Sequence, residues 1–358
     1  MGTLPMKIKK CCWKFTATLL LSACMTLVLV GPAAAAEPVN QNPEVAYEAG
    51  FYYTVKKGDT LWDLSQRFSD TPWQWPDLWR ENQQLPNPHW IYPGERIRLF
   101  RKSDKHRYQV PSETQVPAAT PGVEASTPVE QPKPQVDFHY AKIDRVGFIR
   151  DPAVDPIGEI FKSLDDKKLI SKGDQVYIRY SDSGGKEHFS PGLRLTAYRT
   201  LDPNEAKGYG SQHYLLGIIE VITVKDEYAI AEVMSSARKI QAGDLVMRYE
   251  PRNPDITVTD SAPGIDGRIL LGEEHTKMLG DLFIAFIDKG EEDQIMPGQI
   301  YDIYFQEHAP SGTSSSDILL DPVSIGSLLV LHTEKNTSTA VITSSSRNIS
   351  PGQPFRTP

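Results

Sequence analysis

Leu61, Leu64 and Phe68 fall at i, i+3 and i+7 after the polar turn Gly58-Asp59-Thr60. That spacing puts three apolar side chains on one helical face, with Asp59 or Thr60 placed to cap the helix. Pro76 suits the first turn of a second helix, followed by Leu78, Trp79 and Asn82. Tyr53 to Lys56 reads as a short strand before this pair. Pro93-Gly94 makes a turn after it, and Arg96 to Leu99 a closing strand. The order is βααβ over residues 51–100, an α+β module.

Further along, the period changes from helical to alternating. Gln175 to Tyr180, Leu215 to Val224 and Tyr228 to Val233 read as strands, and so do Leu282 to Ile287, Ile300 to Phe305, Gly326 to His332 and Thr339 to Thr343. The two sets are copies. Gly158-Glu159-Ile160 matches Gly267-Arg268-Ile269, Gly173-Asp174 matches Gly280-Asp281, and Pro191-Gly192 matches Pro297-Gly298, with Tyr198 and Tyr304 following. From Gly217 and Gly326 onward the offset is a constant 109 residues (326 − 217), bringing Ala231, Arg238, Ile240 and Gly243 into register with Ala340, Arg347, Ile349 and Gly352. The recurring glycines suit turns or bulges that need positive φ. We expect a mainly-β tandem repeat, two small barrels or sandwiches, over residues 137–255 and 256–358.

Two stretches fit neither pattern. Residues 1–36 read as a signal peptide: Lys7, Lys9, Lys10 and Lys14 precede an apolar run from Phe15 to Val30, and Ala33 to Ala36 supply small residues for cleavage before Glu37. Two alternatives stay open. The run could be retained as an anchor, or Leu21-Ser22-Ala23-Cys24, similar to a lipoprotein lipobox, could be lipidated at Cys24, although the residues after it remain apolar. Membrane attachment follows only in those two cases. Residues 37–50 form a polar lead-in. Residues 103–136 carry Pro111, Pro117, Pro121, Pro128, Pro132 and Pro134 among small and polar residues. We expect a Pro-rich linker there, a semi-rigid spacer of about 3 Å per residue and at most roughly 100 Å.

Composition narrows the function classes. The chain has 38 basic and 46 acidic residues in 358, a net charge of −8. Without residues 1–36 it loses four lysines and no acids, so 34 basic against 46 acidic groups leave −12. A strongly acidic protein lacks the basic face that nucleic acid requires. Cys11, Cys12 and Cys24 all lie in the leader, so the remainder has no thiol nucleophile, disulfide or thiolate metal site. Export without disulfides points to a bacterial periplasm or cell envelope.

The βααβ segment resembles the LysM family. Its opening pattern is present as Tyr53, Val55, Gly58, Asp59, Thr60, Leu61 and Leu64. The mid-domain Leu-x-x-x-Asn is present as Leu78 and Asn82, and the closing pattern as Asn87, Pro88, Ile91, Pro93, Gly94 and Ile97. It departs from the family at Thr71-Pro-Trp-Gln-Trp75, a longer and more aromatic connection between the helices. The resemblance implies binding of N-acetylglucosamine glycans, hence peptidoglycan, in a groove between two loops. Carried over, those loops contain Gly58, Asp59, Thr60 and Leu61 on one side and Asn87, Pro88, His89, Trp90, Ile91 and Tyr92 on the other. Backbone groups there can bond an acetamide, and aromatics can take a sugar face. Trp62, Trp73, Trp75, Trp79 and Trp90 all lie in this segment. A domain this small needs large side chains for its core, so Trp62 and Trp79 are read as core. Trp90 is open between glycan contact and fold. Asp59 is read as a helix cap ahead of a ligand contact.

No catalytic or metal constellation stands out. His89, His106, His139, His188, His213, His275, His308 and His332 form neither His-x-His nor His-Glu-x-x-His. There is no Gly-x-Ser-x-Gly and no P-loop. Asp165-Asp166 and Glu291-Glu292-Asp293 read as solvated turns. We therefore expect a non-catalytic glycan-binding scaffold without cofactors, whose β copies, assigned to no family, could meet an envelope protein. A hydrolase with paired carboxylates in those copies is the alternative.

Overall fold

The computed structural model describes residues 47–69, 71–99, 134–182, 185–201, 208–310 and 317–358. The leader, its Cys24 and nearly all of the Pro-rich segment lie outside these residues. Among the described residues no helix is long and apolar enough to cross a membrane.

The first module is built as its sequence pattern requires. Strand β1 (Gly50–Thr54) leads to α1 (Leu61–Ser69), a short 3-10 turn at Pro72–Gln74, α2 (Trp75–Glu81) and β2 (Arg96–Arg98). Leu61 and Leu64 are buried, Phe68 partly so, and Pro76 lies in the first turn of α2. Asn82 is fully buried and explains the spacing to Leu78. Its amide donates to the Leu78 and Arg98 carbonyls at 2.7 and 2.8 Å, and its Oδ1 accepts the Arg98 N–H at 2.7 Å. One side chain thus ends α2 and ties it to β2.

The sheet of this module does not stop at β2. Strand β3 (Val136–His139) pairs antiparallel with β1, and β11 (Asp255–Thr257) pairs with β3, giving the order β11-β3-β1-β2. Tyr53 faces Ile97 on one side and Val136 on the other. The Pro-rich segment therefore leaves this sheet after Leu99 and returns to it at Val136. The expectation of a spacer holding the two parts up to roughly 100 Å apart is corrected on that register: strand pairing fixes both of its ends on one sheet. Likewise, Asp255–Thr257, at the boundary expected between the copies, joins this sheet and not a barrel.

The two copies are closed six-stranded rings. In the first, β5 (Gly158–Ser163), β6 (Gln175–Tyr180), β7 (Arg194–Thr200), β8 (Ser211–Val224), β9 (Tyr228–Ser236) and β10 (Leu245–Arg248) pair in the cycle β5-β6-β9-β8-β7-β10, and β10 returns to β5. Strand β4 (Phe148–Arg150) adds to the edge of β8. In the second, β12 (Asp266–Gly272), β13 (Ile284–Ile287), β14 (Ile300–Phe305), β17 (Val323–Thr333), β18 (Ser338–Ser345) and β19 (Pro354–Arg356) close in the cycle β12-β13-β18-β17-β14-β19. Strand for strand the cycles are the same. A hairpin, β15 (His308–Pro310) and β16 (Asp317–Leu319), is inserted between β14 and β17.

Hydrogen bonds refine the sequence match. Gly173 N–H donates to the Val233 carbonyl at 2.8 Å, and Leu282 N–H donates to that of Ile342 at 2.7 Å. Both pairs are 109 residues apart (282 − 173 and 342 − 233), so Gly173 is the counterpart of Leu282 and not of Gly280. Leu282 keeps the left-handed backbone that Gly173 adopts, with φ of 63° against 89°. Gly192 and Gly298, and Gly243 and Gly352, have the positive φ expected of them. Gly217 and Gly326 are conserved between the copies for a different reason. A Cβ at either would collide with the carbonyl oxygen of Ser235 or Ser344 across a bulged ladder.

Alternation along the second barrel's strands serves two cores. Ala285, Ile287, Leu328, Val330, Ala340 and Ile342 fill the barrel. Their neighbours Ile284, Phe286, Leu329, Leu331 and Val341 point outward into a cluster shared with Tyr53, Leu64, Ile97, Phe138 and Ile256. Burial on both faces accounts for the unbroken apolar run Ile284–Ile287. The βααβ module and the second barrel thus share one core.

Candidate glycan-binding site

The first loop is held from beneath. Gly58, at φ 96°, makes the turn after β1. Asp59 Oδ2 accepts from the Tyr53 hydroxyl and from the Lys56 N–H, each at 2.8 Å, and Arg67 approaches the same carboxylate at 3.8 Å. Burial, reinforced by the Asp59 carboxylate, pushes the Tyr53 phenol above its ordinary value. Asp59 therefore braces the loop, and the reading of it as the helix cap is corrected. Thr60 is the cap: its Oγ1 accepts the Asp63 N–H at 3.1 Å and donates to the Asp63 carboxylate at 2.7 Å. Leu61 turns its side chain into the core, so it can offer a ligand only its backbone.

The second loop is held by its own short side chains. Asn87 Oδ1 accepts the His89 N–H at 2.9 Å, and the Asn87 carbonyl accepts the Trp90 N–H at 3.1 Å. Glu95 caps the far end by accepting the Tyr92 N–H at 2.8 Å. Val55 N–H donates to the Glu95 carbonyl, and Gly94 N–H donates to that of Val55, at 2.8 and 2.9 Å. These bonds lock the second loop to the strand that carries the first. Pro88 is half-buried, and Ile91 packs on the core. His89, Trp90 and Tyr92 are exposed, the last two at 65% and 60%.

A ligand here thus meets a backbone fixed by side chains that have already spent their polar groups, and large aromatic surfaces left uncovered. Such a site suits a neutral, amphipathic ligand with one amide and one apolar face.

Two tryptophans expected in the core are not there. Trp62 is 42% and Trp79 36% exposed. The core of this module is completed instead by Val136, Phe138 and the second barrel, so it does not need them. Trp79 donates its Nε1–H to the Leu85 carbonyl at 3.0 Å and braces the turn after α2. No periodicity within residues 51–100 could reveal strands supplied from elsewhere in the chain.

Comparison with known proteins fits this geometry. The LysM domain model matches residues 53–100. These residues are a LysM domain. Domains of this family bind glycans of the peptidoglycan and chitin type and are not themselves catalytic. They occur typically in extracellular or envelope proteins. The chain is also similar to "Uncharacterized protein YqbP" of Bacillus subtilis (strain 168), 39% identical in an alignment 57 residues long; the match covers 13% of this chain and 26% of that protein. The chain therefore spans about a quarter of the length of this curated relative.

Proposed function

We propose that the LysM domain binds peptidoglycan glycan strands through Gly58 to Leu61 and Asn87 to Tyr92, and that it holds the two barrels in the bacterial envelope as a non-catalytic scaffold. The observation that carries this reading is the pair of exposed rings, Trp90 and Tyr92, on a loop whose backbone is locked to β1. Residues 1–36 act as the export signal in this reading, and the barrels offer a surface to an envelope protein.

Sedimentation with isolated peptidoglycan sacculi tests it. The parent protein is carried down with the sacculi, and Trp90→Ala,Tyr92→Ala stays in solution while keeping its circular dichroism spectrum. The supernatant contains no released muropeptides. Release of fragments by the parent would instead place an active site in the barrels. Equal sedimentation of parent and variant would remove the loop from the binding surface.

A further inference from the structure

Two of the exposed tryptophans outside the groove loops pack against each other. Trp73 is 76% and Trp62 42% exposed, and their rings meet edge to face with centroids 5.0 Å apart. Both are held in place. Ser65 Oγ donates to the Thr71 carbonyl at 2.9 Å, fastening the connection to α1, and Pro72 fixes the backbone immediately before Trp73. Two residues on, Trp75 is partly buried against the core, and its ring lies 6.1 Å from that of His89.

These contacts set the connection against the flank of the first groove loop and the body of the second. Trp62 directly follows Leu61, the last residue of the first loop, and Trp73 packs on it. His89 belongs to the second loop, and Trp75 packs on it. Within three residues the connection touches the flank of one loop and the body of the other. We propose that Trp62 and Trp73 form an additional subsite that takes a further pyranose ring of the same glycan strand, so that the protein favours long strands over short ones. This deepens, and rests on, the glycan-binding reading of the loops.

The occupant follows from continuity with the groove and from chemistry. A β-linked N-acetylhexosamine strand leaving the groove presents alternating ring faces of C–H bonds, and an indole offers a flat apolar partner for such a face. Indoles already ordered by mutual packing lose little conformational freedom when a ligand arrives.

The test is calorimetric titration of the purified protein with the trimer and the hexamer of N-acetylglucosamine. The parent binds the hexamer more tightly than the trimer. Trp73→Ala weakens the hexamer roughly tenfold, the loss of one aromatic contact, leaves the trimer within about twofold, and so removes the length preference. Trp73→Phe retains part of that preference. Equal weakening of both ligands by Trp73→Ala would show that Trp73 only props the second loop through Trp75 and His89, and would overturn the proposal. Unchanged hexamer binding would overturn it too, leaving the groove reading intact. A parent that binds neither oligomer would sink the groove reading and this extension together.

Discussion

Arg150 donates two parallel hydrogen bonds to Glu334, from Nε at 2.7 Å and Nη2 at 2.8 Å, and joins β4 to the turn between β17 and β18. Beside it the Thr337 and Thr339 hydroxyls donate to the Ile149 and Gly147 carbonyls at 2.7 and 2.9 Å. Strand β4 belongs to the first barrel's sheet and the turn to the second barrel. The barrels are thus fastened by a charged fork and two neutral bonds at one seam. His332 adds a contact to Glu334 at 2.9 Å. Burial pushes the Glu334 carboxyl up, but hydrogen bonds from His332 and Arg150 outweigh it and hold the carboxyl below its ordinary value.

Removing Arg150 leaves Glu334, with a side chain 10% exposed, short of its bidentate partner. Arg150→Met is expected to cost about 1.5–3 kcal/mol, the range for hydrogen bonds to a charged group. Urea denaturation reads this as a lower midpoint at unchanged slope. The parent holds the seam's full contribution above about pH 4.5, the ordinary glutamate value, and loses it as pH falls through the lower folded value. In Arg150→Met that acid-side loss is smaller, because His332 is then the remaining partner that lowers the carboxyl. A midpoint equal to the parent's would mean that the fork is energetically idle.

His213 gives a second acid-sensitive contribution at a higher pH. The ring is fully buried beside Phe148 and Tyr198, and its Nε2 accepts the Val154 N–H at 3.2 Å. Burial, with Arg150 nearby, pushes its pKa down to about 4. The folded protein therefore keeps His213 neutral, while the unfolded chain takes up a proton near 6.5. Stability is whole above about pH 6.5 and declines by about 3 kcal/mol in total as pH falls toward 4. A histidine NMR titration checks the cause directly: the His213 ring resonance stays fixed until about pH 4. Titration near 6.5 would mean that the ring reaches solvent.

Glycines that look alike along the chain carry different loads. Gly173 has φ 89° and open space where a Cβ would stand, so Gly173→Ala costs only the left-handed backbone, about 1 kcal/mol. Gly217→Ala and Gly326→Ala each drive a methyl into a carbonyl of the neighbouring strand and are expected to cost about 2–3 kcal/mol. Denaturation midpoints of the three variants rank them. Equal losses at Gly217 and Gly326 follow from the common ring, and a loss at only one would mean that the bulge has diverged.

Much of this was legible in the residues because it is local. The i, i+3, i+7 face of α1, Pro76 at the start of α2 and strands such as Gln175–Tyr180 and Ile300–Phe305 depend on neighbours in sequence. The duplication was legible because the same ring needs the same turn glycines. What failed was non-local. The pattern within residues 51–100 puts Trp62 and Trp79 in a core that Val136 and Phe138, far along the chain, complete in their place. The pairing of Gly173 with Gly280 followed letters, where the ladder follows the carbonyls of Val233 and Ile342. Asp59 lost the cap to Thr60 because the buried Tyr53 hydroxyl took its carboxylate. In the candidate site, the loops were readable from their turns, but the contact of Trp75 with His89 was not.

The shared core separates anchoring from folding in a way that one deletion cannot. Removing residues 51–100 takes β1 from the edge of β3 and uncovers Phe138, Ile284, Phe286 and Leu329, all buried against the module's own apolar residues. An unpaired edge beside exposed apolar surface is an aggregation template. The deletion is therefore expected to precipitate or to melt well below the parent. Trp90→Ala,Tyr92→Ala removes rings that are mostly exposed, at 65% and 60%, so its melting temperature should match the parent's while sacculus binding is lost. Thermal melts of the three proteins, run beside the sedimentation assay, decide the matter. A deletion that melts like the parent would mean that the barrels stand without the LysM sheet. Lower melting in the double variant would mean that Trp90 or Tyr92 serves the fold, and only a substitution that spares the melt while abolishing binding identifies a glycan contact.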